Sequence, residues 1–267
     1  MDGIQLGPLR EEHAAGVCSL FRSLYGDGFP QKEVYDPGWV VESQRQGRQL
    51  TWVAHTDEGQ VIGSISISRQ APFPDLYTLG HAMVLPEFRG RSLALQLTML
   101  AATEVFQEAD AVGGLTETGC HALKTQELVY KGGFRPTALF PDSLPGAALP
   151  LEHQSDGPTC ALMSYFTIRD EAQRVYVPPH VREFCRTIYE ILGVQRDLHE
   201  ADGAPEATSE VSRSTTSDGV RLDVFQVGED LADHLPEDGR FALATLPLHR
   251  PEAAFGVELL HQRGFRP

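Results

Sequence analysis

The stretch "VLPEFRGRSLALQLTMLAATEVF", Val84–Phe106, contains the change of pattern that organises the chain. An apolar run ends at Pro86, a loop with two arginines and a glycine follows, and a long amphipathic run begins. Five apolar residues of that last run recur at the spacing of one helix face: Leu93, Leu97, Leu100, Ala101 and Val105. The stretch therefore predicts a strand, a tight loop and a helix.

The loop delivers the chain into the start of that helix. The first amides of a helix have no intrahelical acceptor and lie at the positive end of its dipole. Arg89 and Arg91 add positive charge, and Gly90 and Ser92 are small enough for an anion to reach the backbone. The pattern indicates a pyrophosphate site, although an ordinary strand-to-helix turn with solvated arginines has the same spacing.

Strands and a helix precede this loop. Residues 4–10 predict a strand, and Glu11–Leu24 predict a helix with one apolar face. The passage 25–39, rich in glycine, proline and aromatic residues, predicts irregular structure. The runs "LTWVAHT" and "QVIGSISISR", joined by "DEG", predict a hairpin, and "YTLGHAMVL" extends its antiparallel sheet.

The run Arg89-Gly90-Arg91-Ser92-Leu93-Ala94 resembles the acyl-CoA pyrophosphate loop of the GNAT N-acyltransferase superfamily. The pattern of that loop is Arg/Gln-x-x-Gly-x-Gly/Ala, and Ser92 stands where the family usually has glycine. The order of the preceding elements also matches, so the resemblance covers residues 4–169. It implies an α/β fold with a mixed, mostly antiparallel sheet flanked by helices.

The resemblance implies a donor site in a V-shaped opening between the fourth and fifth strands. The fifth strand would be "VGGLTET", the next helix would follow it in residues 120–134, and "PTALF" and "CALMSYFTI" would close the sheet. The fourth strand would bind the pantetheine amides of an acyl-CoA, and the loop would bind its pyrophosphate. The residues implied for the acyl-CoA are Met83, Val84, Leu85, Arg89, Gly90, Arg91, Ser92, Leu93, Ala94 and Gln126.

Aminolysis of a thioester needs a group that accepts a proton from the attacking amine. Glu117, at the end of the fifth strand, is the predicted base, with a surface or structural role as the alternative. His121 and His81 are weaker candidates for the same task. The resemblance assigns protonation of the leaving thiolate to Tyr130, in "YKGGF". Cys120 suggests a covalent acyl intermediate, but no Cys-His-Asp arrangement supports one.

The tetrapeptide Gly-Phe-Arg-Pro occurs at 133–136 and again at 264–267, and its surroundings repeat in outline. We therefore expect residues 1–169 to form the catalytic domain and 170–267 a partial, degenerate copy that packs on it and walls the acceptor cleft. The acidic passage 227–240 replaces the arginine loop, so the copy is not expected to bind CoA. Its large apolar residues are expected to be buried: Phe184, Ile188, Phe225, Phe241 and Phe255.

The composition of the chain argues against several classes of partner. A formal charge of −15 over 267 residues argues against a nucleic-acid partner. No apolar run approaches the roughly 20 residues that cross a bilayer, and the first residues do not follow the signal-peptide pattern. Four scattered cysteines (Cys18, Cys120, Cys160 and Cys185) predict reduced thiols and no metal site. We expect a cytoplasmic protein without a membrane partner.

Two classes of function follow from these patterns. The first is an N-acyltransferase that uses acetyl-CoA, another acyl-CoA or an acyl carrier protein, with a small-molecule or peptide amine as acceptor. The second is a non-catalytic acyl-CoA-binding or protein-interaction module. Homodimer formation is open in either case.

Overall fold

A computed structural model describes residues 3–70, 73–108, 111–200, 203–215, 219–236 and 241–266. The chain divides into two compact units, Met1–Arg169 and Asp170–Pro267. No helix within the described ranges is long and apolar enough to cross a membrane. The two units are called the first and the second unit below.

The first unit is built on a seven-stranded sheet with the order β1-β2-β3-β4-β5-β7-β6. All neighbouring strands are antiparallel except β4 and β5, which are parallel. The predicted hairpin and its extension are confirmed as β2, β3 and β4. The strands are β1 (Ile4–Pro8), β2 (Gln49–Thr56), β3 (Val61–Gln70), β4 (Phe73–Val84), β5 (Gly113–Gly119), β6 (Arg135–Leu144) and β7 (Thr159–Thr167).

In the described part of this unit, four α-helices flank the sheet: α1 (Ala14–Tyr25), α2 (Pro37–Arg45), α3 (Leu93–Glu108) and α4 (Leu123–Lys131). The predicted apolar face of α3 is confirmed. Leu93, Leu97 and Ala101 are at most 2% exposed, and Val105 is buried as well. They join the strands and α1 in one hydrophobic core, and this core fixes the start of α3 against the end of β4.

The prediction that residues 25–39 are irregular is wrong at its end, where α2 begins at Pro37. The Asp36 carboxylate accepts a hydrogen bond of 2.9 Å from the Gly38 amide, so it caps the helix. Proline at the first helical position lacks the donor that would be left unsatisfied there. The Asp-Pro pair was the sequence signal for this helix, and the surrounding glycines and aromatic residues obscured it.

β4 and β5 are paired over only three positions: Leu76 with Gly113, Tyr77 with Gly114 and Thr78 with Leu115. Both strands continue beyond these pairs, to Val84 and Gly119, without pairing to each other. A register irregularity lies between Gly80 and Met83, where His81 has a left-handed φ of 53°. The bulge bends β4 as it leaves β5, and the sheet opens at the end where the arginine loop begins.

The second unit contains two small sheets. In one, β8 (Gln173–Tyr176) and β9 (Arg196–His199) are parallel and joined through α5 (Pro179–Leu192). In the other, β10 (Glu210–Thr215) and β11 (Gly219–Gln226) form an antiparallel pair. β12 (Phe241–Thr245) runs parallel to β11, and α6 (Ala253–Gln262) follows. That this unit is a degenerate copy of the first, and that it walls a cleft, stays a prediction.

The burial expected for the large apolar residues of the second unit is wrong at two positions. Phe184 is 42% exposed and Phe255 is 36% exposed. Ile188 and Phe225 are half-buried, and the side chain of Phe241 lies outside the described residues. Helical spacing defines a common face of a helix, but it does not guarantee that another element covers all of that face.

Candidate active site

The loop between β4 and α3 has the backbone geometry of an exposed anion site. Gly90 has a φ of 80° and Ser92 a φ of 58°, both left-handed. Both residues are exposed, and the first amide bonded along the helix is that of Gln96, which donates to the Ser92 carbonyl at 3.0 Å. The amides at the very start of α3 therefore have no intrahelical acceptor, and the positive end of the helix dipole lies beside them.

Leu93 is 2% exposed in the core, so only its backbone can serve a ligand. Ala94 follows it in the first turn and is half-buried. The core thus anchors the helix start, while the preceding loop residues stay open to solvent. An anion can approach the loop without any rearrangement of the core.

The two arginines of the loop have different surroundings. Arg89 donates from Nε to the Val84 carbonyl at 3.1 Å and from Nη1 to both carboxylate oxygens of Glu152, at 2.7 and 3.0 Å. The guanidinium of Arg91 lies 5.3 Å from the centre of the Phe88 ring. It has no hydrogen bond or ion pair with a described residue. The Arg91 guanidinium is therefore available to bind an anion, whereas Arg89 is already paired with the Glu152 carboxylate.

The end of β4 presents backbone groups to the opening. The Leu85 amide donates to the Ile62 carbonyl at 2.9 Å, on the β3 side. Because backbone groups alternate between the two edges of a strand, those of Val84 point away from β3. The Val84 carbonyl accepts the Arg89 bond there, while Met83 is buried. Arg89 is thus tied to the strand predicted to hold the pantetheine arm.

Glu117 is exposed and lies on the part of β5 that is not paired with β4. Its register partner on β7 is Met163, whereas its neighbour Thr116 is paired with Ser164. Directly paired residues lie on the same face of a sheet, and consecutive residues lie on opposite faces. Glu117 therefore faces away from the buried side on which Thr116 and Ser164 lie.

Gln126 and Tyr130 lie on α4 and line a cavity of about 320 Å³ together with Leu162 and Ser164 of β7. The Gln126 side chain donates from Nε2 to the Gly119 carbonyl at 3.0 Å. Tyr130 is 58% exposed, and the Arg135 guanidinium lies 4.7 Å from its ring centre. Since Ser164 lines this cavity, the cavity and Glu117 lie on opposite faces of the sheet. The predicted acid and the predicted base do not share a face.

His121 follows β5, and its ring lies 5.0 Å from that of His153. Its Nδ1 is buried without a hydrogen-bond partner among the described residues. Burial, and to a smaller extent the neighbouring His153, lower the pKa of His121. The neutral ring is therefore favoured, and the same burial makes it a weaker base. Burial, and next the neighbouring Cys160, raise the pKa of the Cys120 thiol, which disfavours the thiolate that a covalent intermediate would need.

His81 lies at the bulge of β4, with its ring centre 5.2 Å from that of Phe21 and 5.4 Å from that of Phe29. Its Nδ1 is buried and has no partner in the described structure. Burial lowers the pKa of His81 to about 4. The imidazole is thus neutral, but it is a weak base because the surrounding aromatic rings disfavour its charged form.

A family model matches part of the first unit. Residues 14–126 match the sequence model described as the acetyltransferase (GNAT) family. The first unit contains a GNAT domain. The resemblance seen in the arginine loop is thereby confirmed, and the match includes that loop, the opening and the start of α4. No curated protein matches the chain.

Solved structures resemble the GNAT domain in fold. An N-acetyltransferase from Staphylococcus aureus Mu50 is 11% identical, with a TM-score of 0.52; the alignment covers 63% of this chain and all of that one. A ribosomal-protein-S5-alanine acetyltransferase from Vibrio fischeri is 13% identical, with a TM-score of 0.50, covering 62% of this chain and 94% of that one. At such identities the likeness shows the fold alone.

Sequence reasoning missed two residues beside the GNAT loop, Glu152 and His153. They lie in a short helical turn, Leu151–His153, between β6 and β7. Glu152 pairs with Arg89, and His153 stacks on His121. Neither belongs to a motif, and Glu152 is 63 residues from its partner, so no local signal pointed to them. Among the described residues, no group of three or more histidine, cysteine or acidic side chains could hold a metal ion.

Proposed function

We propose that the GNAT domain is an N-acyltransferase that transfers an acetyl or other acyl group from an acyl-CoA to an amine. The observation that carries the proposal is the gap between β4 and β5, which ends at the exposed loop of residues 89–92 and the start of α3. The end of β4 has an edge that is not paired with β5, and the positively polarised N-terminus of α3 follows it. An unpaired edge can bind the amides of an extended arm, and the helix N-terminus can bind the phosphates at the end of that arm.

In this proposal the loop residues hold the pyrophosphate and the strand holds the arm. The amides after Ser92 and the Arg91 guanidinium bind phosphate oxygens. Within Met83–Leu85, the backbone groups of Val84 point away from β3, so these are the groups that bind a pantetheine amide. Gln126 lies on α4, the helix that follows β5, and binds the acyl-CoA from the β5 side of the gap. The acyl thioester supplies the activated acyl group. The reaction breaks its C–S bond and forms a C–N bond to the acceptor amine.

The protons are handled by residues of the GNAT domain. Glu117, exposed on the part of β5 that is not paired with β4, accepts a proton from the amine, directly or through water. His121 is the second candidate for this role, since its ring is neutral and its Nδ1 is without a partner in the described structure. Tyr130 stays the predicted acid for the departing thiolate, and it would have to reach that sulfur from the face of the sheet opposite Glu117. Positioning of donor and acceptor in the gap supplies much of the rate.

The acceptor is a small-molecule or peptide amine, and a cytoplasmic location is part of the proposal because all four cysteines are free thiols. The experiment measures binding of CoA by calorimetry and then release of free CoA thiol from acetyl-CoA in the presence of amines. Binding with amine-dependent release supports an acyltransferase. Binding without release for any amine or acyl chain would leave a non-catalytic acyl-CoA-binding module. If thiol is released only when the acyl group is carried by an acyl carrier protein, the donor is that carrier protein and not an acyl-CoA.

A further inference from the structure

The segment between β6 and β7, residues 145–155, folds into a compact strap. Two short helical turns, Gly146–Ala148 and Leu151–His153, form it. The Ser155 amide donates to the Gly146 carbonyl at 3.5 Å, and the His153 amide donates to the Pro150 carbonyl at 2.7 Å. A side chain at Gly146 would lie 2.1 Å from the Ser155 carbonyl oxygen, so the strap closes tightly on itself. Protection of its amides therefore depends on hydrogen bonds within the strap and on the contacts that hold the strap in place.

The strap contacts three elements around the opening of the sheet. The backbone of Ala147 lies so close to Gly28, after α1, that a Cβ there would be 2.5 Å from its carbonyl oxygen. The His153 ring stacks on His121, before α4. Glu152 holds Arg89, on the loop after β4. The strap thus links the loop predicted to bind phosphate to the turn that follows β5.

The contact with Arg89 is the exchangeable one. The side chains of Arg89 and Glu152 are 42% and 44% exposed, and ion pairs with such exposure are held weakly. A pyrophosphate offers more charge than one carboxylate, and it would also meet the free helix amides and Arg91. The Glu152 carboxylate gives Arg89 the negatively charged partner that a donor phosphate would provide in the complex.

We propose that Glu152 is an internal competitor of the donor pyrophosphate for Arg89. In the free protein its carboxylate neutralises Arg89 and fastens the strap; when the donor binds, the phosphate takes the place of the carboxylate and the strap is released from the loop. Glu152 thereby lowers the affinity for the donor and couples donor binding to the position of the strap. This inference rests on the proposed function.

The test compares CoA binding to the full chain and to Glu152→Gln by calorimetry at low salt. Removing the competing charge is expected to lower the dissociation constant for CoA by about 3- to 10-fold. The matched control is Glu42→Gln, which removes the same charge and another exposed arginine pair on α2. The control is expected to leave the dissociation constant within a factor of about 1.5 of the unsubstituted protein.

A double-mutant cycle separates competition for Arg89 from a general effect of charge. In an Arg89→Gln background, Glu152→Gln should change CoA affinity by less than about 1.5-fold, because the contested group is gone. A persistent gain in that background would overturn the inference. Hydrogen exchange provides the second readout: the strap amides should exchange faster when CoA is added to the unsubstituted protein, and equally fast with and without CoA in Glu152→Gln.

The outcomes also distinguish this inference from the proposed function. If the unsubstituted protein binds CoA and Glu152→Gln binds it equally or more weakly, Glu152 is not a competitor and the acyl-CoA site stands. If neither protein binds CoA, the proposed function is wrong and the inference falls with it. Tighter binding by Glu152→Gln that depends on Arg89 supports the inference and the acyl-CoA site, and thiol release then tests transfer.

Discussion

Thr78 and Leu115 form the last pair between β4 and β5, and both strands run on beyond it without pairing to each other. The break creates a strand edge inside a seven-stranded sheet, where unpaired backbone groups are otherwise rare. The edge leads directly to the arginine loop, so a ligand lying in the break would reach the loop at its end. The predictions below depend on this relationship.

Arg91→Glu is expected to weaken CoA binding by roughly 1.5 to 3 kcal/mol, the scale of a lost charge-assisted hydrogen bond. The Arg91 guanidinium has no hydrogen bond or ion pair among the described residues, so the substitution breaks no internal ion pair and the free energy of unfolding should change little. Calorimetry with CoA checks the affinity. Arg48→Glu, an exposed position on the turn before β2, is the charge-matched control. Equal losses in both variants would point to net charge instead of a contact.

Ser92→Gly is expected to stabilise the protein, because Ser92 holds a left-handed φ of 58°. Such a conformation strains residues with a Cβ by roughly 1 to 2 kcal/mol, and the greater freedom of glycine in the unfolded chain offsets part of the relief. The expected net gain is about 0.5 to 1 kcal/mol. Ser92→Val should lower the free energy of unfolding by at least the same amount, because β-branched residues tolerate a left-handed φ poorly. Urea unfolding measures the free energy of unfolding of the unsubstituted protein and both variants. A lower value for Ser92→Gly would contradict the assigned strain.

His81 is expected to make stability depend on pH. Burial lowers its pKa to about 4 in the folded protein, below the unfolded value of 6.5. The unfolded chain binds the proton more readily in this window, so stability is present above pH 6.5 and is lost as the pH falls towards 4. At pH 5 the loss attributable to His81 is on the order of 2 kcal/mol relative to pH 7.5.

His81→Asn provides the comparison, because asparagine does not titrate and tolerates a left-handed φ. The stability lost between pH 7.5 and pH 5 should be smaller in the variant by that amount. Chemical unfolding at both pH values measures the difference. Identical losses in the two proteins would mean that His81 is accessible to protons in the folded state.

Much of the GNAT domain could be predicted because its signals are local. The apolar spacing from Leu93 to Val105 follows the helix period, and the hairpin around Gly59 alternates cleanly. The bulge at His81 was not predicted, since the run through it looks like one continuous strand. Glu152 was missed because its contact with Arg89 depends on how the strap docks. Phe184 and Phe255 were assigned to a core because their spacing shows a face but not what covers it.

Glu117→Gln is expected to lower the rate of acyl transfer by about 10²- to 10⁴-fold while CoA binding is retained. The amide keeps the shape of the side chain but cannot accept the proton of the amine. Steady-state rates at saturating acceptor test this, with Glu58→Gln on the β2–β3 turn as the control. A rate close to that of the unsubstituted protein would make Glu117 structural and move the role of base to His121, His81 or water.

Amine-dependent release of CoA thiol from acetyl-CoA and longer acyl-CoAs is the measurement that tests the central claim most directly. The purified full chain is incubated with each donor and a library of small-molecule and peptide amines, and free thiol is followed with time. Thiol release that requires an amine, and that Arg91→Glu and Glu117→Gln both reduce, is the predicted result. Absence of CoA binding, or release unaffected by both substitutions, would contradict it.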